Sequence, residues 1–349
     1  MRRTTKTITL RQIAKMAHTS KSTVSRVLTK HPSVSPKTRA RINQVIQKQG
    51  FRPNLFAQGL AGGRTGLVAV LTSEINSGFY AEVIKGIDQV AGQHEGHLLS
   101  SFAHGTKDYI DLWKNLAAGG RVDGVILIAP PLDIFSERVR PDDIPIVLCS
   151  SRPQGLAQGW ERVDSVTVDN HKGINELMRH LVDQKHKRFT HIAGPHDIYD
   201  AVERFRAFNQ FIADHPGLEG EAIQTNMTME GGRTAVLDYL KRGERKTDAF
   251  VACNDFAALG ILEALKESCI DVPQSVAVTG CDDDPSSAIL GLTSLRMPMI
   301  DLGREAGRLL FDRLGRRDEQ PLARHSLLEL ALRIRATSQS KTGPTATLP

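Results

Sequence analysis

Thr9-Leu10-Arg11-Gln12-Ile13-Ala14-Lys15-Met16-Ala17-His18-Thr19-Ser20-Lys21-Ser22-Thr23-Val24-Ser25-Arg26-Val27-Leu28 carries the signals of two short helices and the turn between them. Thr9 and Gln12 have the spacing of a capping box, in which each side chain satisfies the other residue's backbone N–H, and Ile8 and Ile13 stand at the staple positions around it. Ile13, Ala14 and Ala17 share one helical face, His18-Thr19 interrupts it, and Ser20 offers a second N-cap. On the second helix Val24, Val27 and Leu28 fall together, which turns Lys21, Ser22, Ser25 and Arg26 outward. A third helix is predicted from the cap Ser35 and the first-turn Pro36, through Ile42, Val45 and Ile46, to a stop at Gly50. Two helices joined by a tight turn, the second showing only hydroxyls and cations, is the helix-turn-helix means of entering a major groove.

The charge distribution agrees with that reading. Residues 1–73 hold fourteen of the 45 Lys and Arg residues and none of the 39 Asp and Glu residues, the first acid being Glu74. The head is therefore +14 and the remainder −8, a split that points to a polyanion-binding module joined to a body with another task. A solvated basic tail would lack the apolar periodicity and helix punctuation found here. At 349 residues, 40% apolar and 24% charged, the chain has the length of two or three globular domains. Its longest apolar runs, such as Val125 to Ala129, fall far short of a bilayer span, so no membrane partner is expected. Ile8 to Ala17 is broken by Arg11, Gln12 and Lys15 and has no signal-peptide centre, so a cytoplasmic location is expected. Cys149, Cys253, Cys269 and Cys281 show no Cys-x-x-Cys spacing, and buried or half-buried free thiols are expected.

The head resembles the lac repressor and galactose repressor (LacI/GalR) family of transcriptional regulators. The resemblance rests on Thr9 to Ala17, Ser20 to Val27, Val34-Ser35 with Thr38-Arg39, and Phe51-Arg52-Pro53-Asn54. It implies base-edge contacts from Lys21, Ser22 and Arg26, phosphate contacts from Thr23 and Ser25, and a DNA-side role for Asn54. Arg26 has the geometry for the O6 and N7 of one guanine together. Two departures stand out: His18-Thr19 replaces the usual Gly-Val, placing a non-glycine where positive φ is needed, and Gln12 replaces the usual aspartate. Pro53 to Gly63 reads as a weak helix with Gly59 in its interior, costing about 1 kcal/mol relative to alanine. By resemblance this is a hinge that folds on DNA and inserts Leu60 between base pairs in the minor groove; the alternative is a plain linker. Gly59 departs from the family's usual Ser, Gln or Arg.

From Gly66 onward the pattern alternates strands and helices. Leu67 to Leu71, Gly96 to Ser101, Val122 to Ala129 and Ile144 to Cys149 read as buried parallel strands, with helices at Phe79 to Gly92 and Asp108 to Leu116. A second set, with strands at Val166 to Val168, Thr190 to Ala193, Ala222 to Thr225, Ala249 to Cys253 and Val276 to Cys281, predicts a second lobe and a ligand cleft between the two. The expected fold class is an all-α helix-turn-helix head followed by an α/β body of two doubly wound parallel-sheet lobes. By resemblance this body is similar to periplasmic binding proteins, with the chain crossing between lobes three times. The expected limits are 1–52 for the head, 53–65 for the hinge, 66–336 for the body and 337–349 for a disordered tail. Within the body, lobe 1 is placed at about 66–165 and 294–320, and lobe 2 at about 166–293 and 321–336.

Carried over residue by residue, the resemblance places Phe79, Tyr80, Asp169, Arg204, Met227, Asn254, Asp255 and Asp282 in the effector pocket. An aromatic face suits the apolar side of a sugar ring, and the polar groups suit hydroxyls. Arg204 would also welcome an anion, so a sugar or sugar acid is the expected effector. Phe79 and Tyr80 are adjacent and cannot both point the same way from a helix. Met227 stands where some relatives carry an aromatic residue. His94-Glu95-Gly96-His97 has one residue too few between its histidines for a zinc-protease pair, and Gly59 to Gly66 lacks the ending of a phosphate loop. No catalytic, cofactor or metal site is expected. The function expected is an effector-responsive repressor that binds a palindromic operator as a homodimer, without a coiled-coil tetramer segment. The alternatives are a sugar-binding protein or a sugar-modifying enzyme with a basic head.

Overall fold

The computed structural model describes residues 8–28, 31–51, 65–74, 77–117, 120–138, 144–153, 158–243, 247–316 and 322–339, and the account that follows concerns these. The hinge positions Asn54 and Leu60 lie outside the described residues. In the head, α1 (Leu10–Met16), α2 (Lys21–Leu28) and α3 (Pro36–Gln49) form in the predicted order. The capping box is closed on both sides: the Thr9 N–H donates to Gln12 Oε1 at 2.8 Å, and the Gln12 N–H donates to the Thr9 hydroxyl at 3.4 Å. His18 takes φ 48°, so the turn uses the left-handed conformation with a residue that tolerates it. The Ser20 hydroxyl accepts from Thr23 N–H at 3.1 Å, and Gly50 (φ 59°) ends α3. Ile13, Ala14, Ala17, Val24, Val27, Val34 and Ile42 make the small core, with Leu28 half-buried at its edge.

The body runs β1 (Leu67–Thr72), α4 (Gly78–Gln93), β2 (His97–Phe102), α5 (Thr106–Ala117), β3 (Gly124–Ile128), β4 (Ile146–Cys149), β5 (Asp164–Val168) and α6 (Asn170–Asp183). It continues with β6 (Arg188–Ala193), α7 (Tyr199–Asp214), β7 (Glu219–Gln224), α8 (Met229–Arg242), β8 (Ala249–Ala252), α9 (Asp255–Glu267) and β9 (Ala277–Asp282). The last elements are α10 (Pro285–Ile289), β10 (Thr293–Arg296), α11 (Met299–Gly315), β11 (His325–Leu328) and β12 (Ala331–Arg333). One sheet has the order β11-β5-β4-β3-β1-β2 and the other β12-β10-β9-β8-β6-β7. The recorded pairings are parallel except β10 with β12. Strands such as β1 and β3 are buried along their whole length, as parallel strands covered by helices on both faces must be.

Several expectations are corrected. Val166 to Val168 does not open the second lobe: β5 pairs with β4 and is part of the first sheet. β10, assigned by sequence to the first lobe, pairs with β9 in the second, and β11, assigned to the second, pairs with β5 in the first. The chain thus crosses after Val168, between Arg296 and Met299, and between Leu328 and Ala331. Gly96 to Ser101 yields β2, but β2 is a sheet edge whose positions are exposed except for the half-buried Leu98 and Ser101. Thr337 and Ser338, expected to be disordered, are buried: Thr337 N–H donates to Gly291 O at 3.0 Å, and the Ser338 hydroxyl meets His180 at 2.8 Å. Cys149, Cys253 and Cys281 are buried free thiols, while Cys269 is exposed, neither buried nor half-buried as expected.

Each lobe contains a helix pair in glycine-mediated contact. A Cβ on Gly303 of α11 would lie 2.0 Å from the Val83 carbonyl of α4, and one on Gly260 of α9 would lie 1.9 Å from the Met229 carbonyl of α8. The return of the chain into the first sheet is fixed by a buried acid. Asp164 pairs with Arg313 at 2.6 Å and with Arg324 at 2.9 Å. Burial by itself would raise its carboxyl, but hydrogen bonds from Arg313 and Arg324 hold it below the usual carboxylate range.

Candidate nucleic-acid interface and ligand cleft

On α2, burial of Val24 and Val27 leaves Lys21, Ser22 and Arg26 exposed and Thr23 and Ser25 half-buried. Ser20 links by its hydroxyl to both Ser22 and Thr23, each at 2.8 Å, so the start of the helix carries an ordered row of hydroxyls. Arg11, Lys15, Lys37, Arg41 and Lys48 are exposed on the neighbouring helices, with no acid in the head to offset them. Arg39 is instead half-buried and donates to His31 O at 2.7 Å, which ties α3 to the segment after α2. The result is a helix with a cationic and hydroxyl face on a rigid core, suited chemically to phosphates and base edges.

In the body, the carboxyl ends of strands and the first turns of helices enclose a cleft of about 290 Å³. Phe79, Tyr80, Arg204, Met227, Asn254 and Asp282 all line it. Phe79 and Tyr80 sit edge to face with centroids 5.0 Å apart. Tyr80 also belongs to the core, and its hydroxyl is tied to Ser73 at 2.9 Å. Asn254 caps α9: its Oδ1 accepts from Ala257 N–H at 2.9 Å and its amide donates to Met227 O at 3.0 Å. Met227 takes φ 63° immediately before α8.

Arg204 is only 2% exposed although it lines the cleft. Its Nε donates to Asn170 Oδ1 at 3.0 Å and one terminal nitrogen donates to Cys253 O at 2.6 Å. The Asn170 amide in turn donates to Asp200 at 2.7 Å, and the Ser150 hydroxyl donates to the other Asp200 oxygen. Burial works against the Arg204 charge, but Cys281, Asp282 and Asp200 around it hold the guanidinium more firmly protonated than usual. Burial raises the Asp200 carboxyl above the ordinary carboxylate range against the pull of Arg204, Ser150 and Asn170. It pushes Asp282 up to about 8, opposed by Arg204 and reinforced by Asp255 and Asp200. Asp282 has φ 123° at the end of β9.

Two expected pocket residues do not line this cleft. Asp169 caps α6, accepting from Lys172 N–H at 2.9 Å. Asp255 accepts from the Ser287 hydroxyl at 2.5 Å, the Ser294 hydroxyl at 2.6 Å and the Asp284 N–H at 2.9 Å, so it faces the neighbouring turn and strand. Burial pushes its carboxyl up to about 6. The sequence reading missed Asp200, Asn226, Ile198, Met229, Phe256 and Met297 among the lining residues. Asp200 had a legible signal, standing four residues before Arg204 on one helix face; the methionines and Ile198 had none. His94 stacks on Phe311 at 4.3 Å, and Glu95 turns the chain at φ 55°. Among the described residues no cluster of His, Cys, Asp and Glu is arranged to hold a metal, and no helix is long and apolar enough to cross a membrane.

Residues 9–54 match the family described as bacterial regulatory proteins, lacI family, and residues 178–338 match a periplasmic binding protein-like domain. The HTH-type transcriptional regulator CelR of Thermobifida fusca is 30% identical over 338 residues, 94% of this chain and 97% of that protein. The chain belongs to the LacI family. Catabolite control protein A of Priestia megaterium is 28% identical over 309 residues, 87% of this LacI-family chain and 91% of that protein. Among solved structures, the complex of the transcriptional regulator CelR with cellobiose has a TM-score of 0.68 at 29% identity, over 95% of this chain and 99% of that one. The lac repressor dimer bound to operator and an anti-inducer has a TM-score of 0.79 at 23% identity, over 96% and 100% of the two chains, which places the fold. This LacI-family protein is a transcriptional regulator with a helix-turn-helix DNA-binding head and a two-lobed effector-binding body, and it is not an enzyme.

Proposed function

We propose that the protein is a cytoplasmic repressor that binds a palindromic operator as a homodimer and releases or grips it according to a small polyhydroxylated effector held between the lobes. The observation that carries the DNA side is the exposed Lys21, Ser22 and Arg26 on one rigid helix of an acid-free head. In this reading Arg26 takes a guanine edge, Lys21 and Ser22 read neighbouring bases, and Thr23 and Ser25 grip phosphates. Asn54 and Leu60 act from the hinge, Leu60 as a minor-groove wedge. Phe79, Arg204, Met227, Asn254 and Asp282 hold the effector, joined by Asp200 and Asn226. Sugar metabolism is the regulated process we favour, supported by the cellobiose in the CelR complex and by a cleft of matching chemistry.

Fluorescence anisotropy of the full chain with candidate operator duplexes, over a salt series, tests this reading. Affinity for the operator should fall steeply with salt and exceed that for scrambled duplex by at least a hundredfold at each concentration. A signal indifferent to salt or to sequence would sink specific readout.

A further inference from the structure

Arg204 invites an anionic effector, yet its surroundings contradict that invitation. Among the described residues lining the cleft, the ionisable acids are Glu74, Asp200 and Asp282, and Arg204 is the single cation. Two of its nitrogens are already committed, to Asn170 at 3.0 Å and to Cys253 O at 2.6 Å, and Asn170 relays it to Asp200 at 2.7 Å. The positive charge is thus answered inside the protein before any ligand arrives. Asp282 is in the opposite condition: it reaches the cleft from a left-handed residue at a strand end, and among the described residues its carboxyl makes no hydrogen bond. A half-buried carboxyl in that position has room for a donor, and a ligand hydroxyl or ammonium supplies one, whereas a ligand carboxylate or phosphate brings further acceptors beside Asp200 and Glu74.

We infer that Asp200 and Asp282 make the cleft a charge filter, accepting polyols that are uncharged or carry an ammonium group and refusing sugar acids and sugar phosphates. The inference rests on the reading of the cleft as the effector site and narrows its chemistry. Asp200 and Asp282 determine specificity as acceptors: with Arg204 already bonded to Asn170 and Cys253 O, an anionic ligand meets acids and no uncommitted cation, whereas Arg204 still serves as a donor to a neutral oxygen. The expected choice between a sugar and a sugar acid therefore falls against the acid.

The test is a set of calorimetric titrations of the full chain at one pH and ionic strength, with cellobiose against cellobionate, glucose against gluconate and glucose 6-phosphate, and glucosamine as the cationic member. At least one neutral or amino member should bind, ten times or more tighter than its anionic counterpart. In Asp282→Asn that ratio should shrink to threefold or less, and Asp200→Asn should shrink it likewise, with a cooperative urea transition reporting that each variant is folded. An acid or phosphate that binds wild type as tightly as its neutral counterpart overturns the filter and leaves the cleft as an effector site. An unchanged ratio in both folded variants also overturns it. If no member of the panel binds, the sugar-site reading fails and the filter falls with it.

Discussion

Asp282 holds its carboxyl in a cleft where Arg204 and Asp200 face it from α7, and outside the cleft Asp255 at the start of α9 and Asp284 in the adjoining turn add their influence. Burial lifts its value to about 8 from an ordinary 3.8. The folded protein therefore binds this proton more tightly than the unfolded chain does, so its contribution to stability is complete below about pH 4 and is lost as pH rises toward 8. Asp282→Asn should remove that slope and stabilise the ligand-free protein at pH 7 by about 1 to 3 kcal/mol, less than the full shift because the side chain relaxes toward solvent. Urea midpoints at pH 5 and pH 8 for both proteins measure it; parallel pH profiles would refute it. Arg26 offers the matching test on the DNA side. Arg26→Ala should cost about 1 to 3 kcal/mol at one base position and leave effector titrations unchanged, since a bidentate guanine contact is worth that much. Residue chemistry was partly legible in advance: Arg204, Asn254 and Asp282 follow strand ends, where α/β sheets collect ligands. Asp255 was misplaced because its neighbour Asn254 takes the cleft side of the same helix start, and its three donors come from Asp284, Ser287 and Ser294, residues whose approach depends on the folded turn.

At the scale of elements, most helices and strands follow from punctuation and period, and the failures concern what lies beside each strand. β2 carries Leu98 and Leu99, a signal no different from that of an interior strand, but as an edge it leaves Leu99 and Phe102 39% and 42% exposed. β5 and β11 were mis-sorted because Ser165 finds its partner at His325, and no local pattern records a pairing over that distance. The tail failed for a related reason. Thr337 and Ser338 look like disordered composition, but they complete hydrogen bonds to the Thr293 N–H and to the Thr293 hydroxyl that nothing nearby in sequence announces. Helix pairing yields a sharper prediction. Gly303 lets α11 lie against α4 with no room for a methyl group, the closest atom being the Val83 carbonyl at 2.0 Å from an added Cβ. Gly303→Ala must part the helices and should destabilise the protein by about 1 to 3 kcal/mol, with the urea slope unchanged. A variant with the wild-type midpoint would show that the helices slide at no cost.

At the scale of the whole molecule, the two lobes touch across the cleft at separate places. Leu132 N–H of the first lobe donates to Asp197 O of the second at 2.8 Å, and Ser150 of the first donates to Asp200 of the second. At the rim, a Cβ on Gly78 would come within 2.9 Å of Asp284 Oδ2 from the opposite lobe. Asp200 thus belongs both to the cleft lining and to a contact that ties the lobes together, so a ligand drawing on Asp200 acts on the same equilibrium that sets how the lobes sit. If lobe arrangement governs the hinge segments, effector and operator must change each other's affinity by one common factor, typically about 5- to 150-fold. Ser150→Ala removes the cross-lobe hydrogen bond while keeping the rest of the Asp200 network, and should lower that factor severalfold in both directions. The measurement is a closed cycle: operator affinity with and without saturating cellobiose or whichever sugar the titrations identify, and affinity for that sugar with and without saturating operator. A factor in the Ser150→Ala protein equal to wild type would show that this contact does not carry the coupling, and affinities independent of one another in the wild-type cycle would sever the cleft from DNA control altogether.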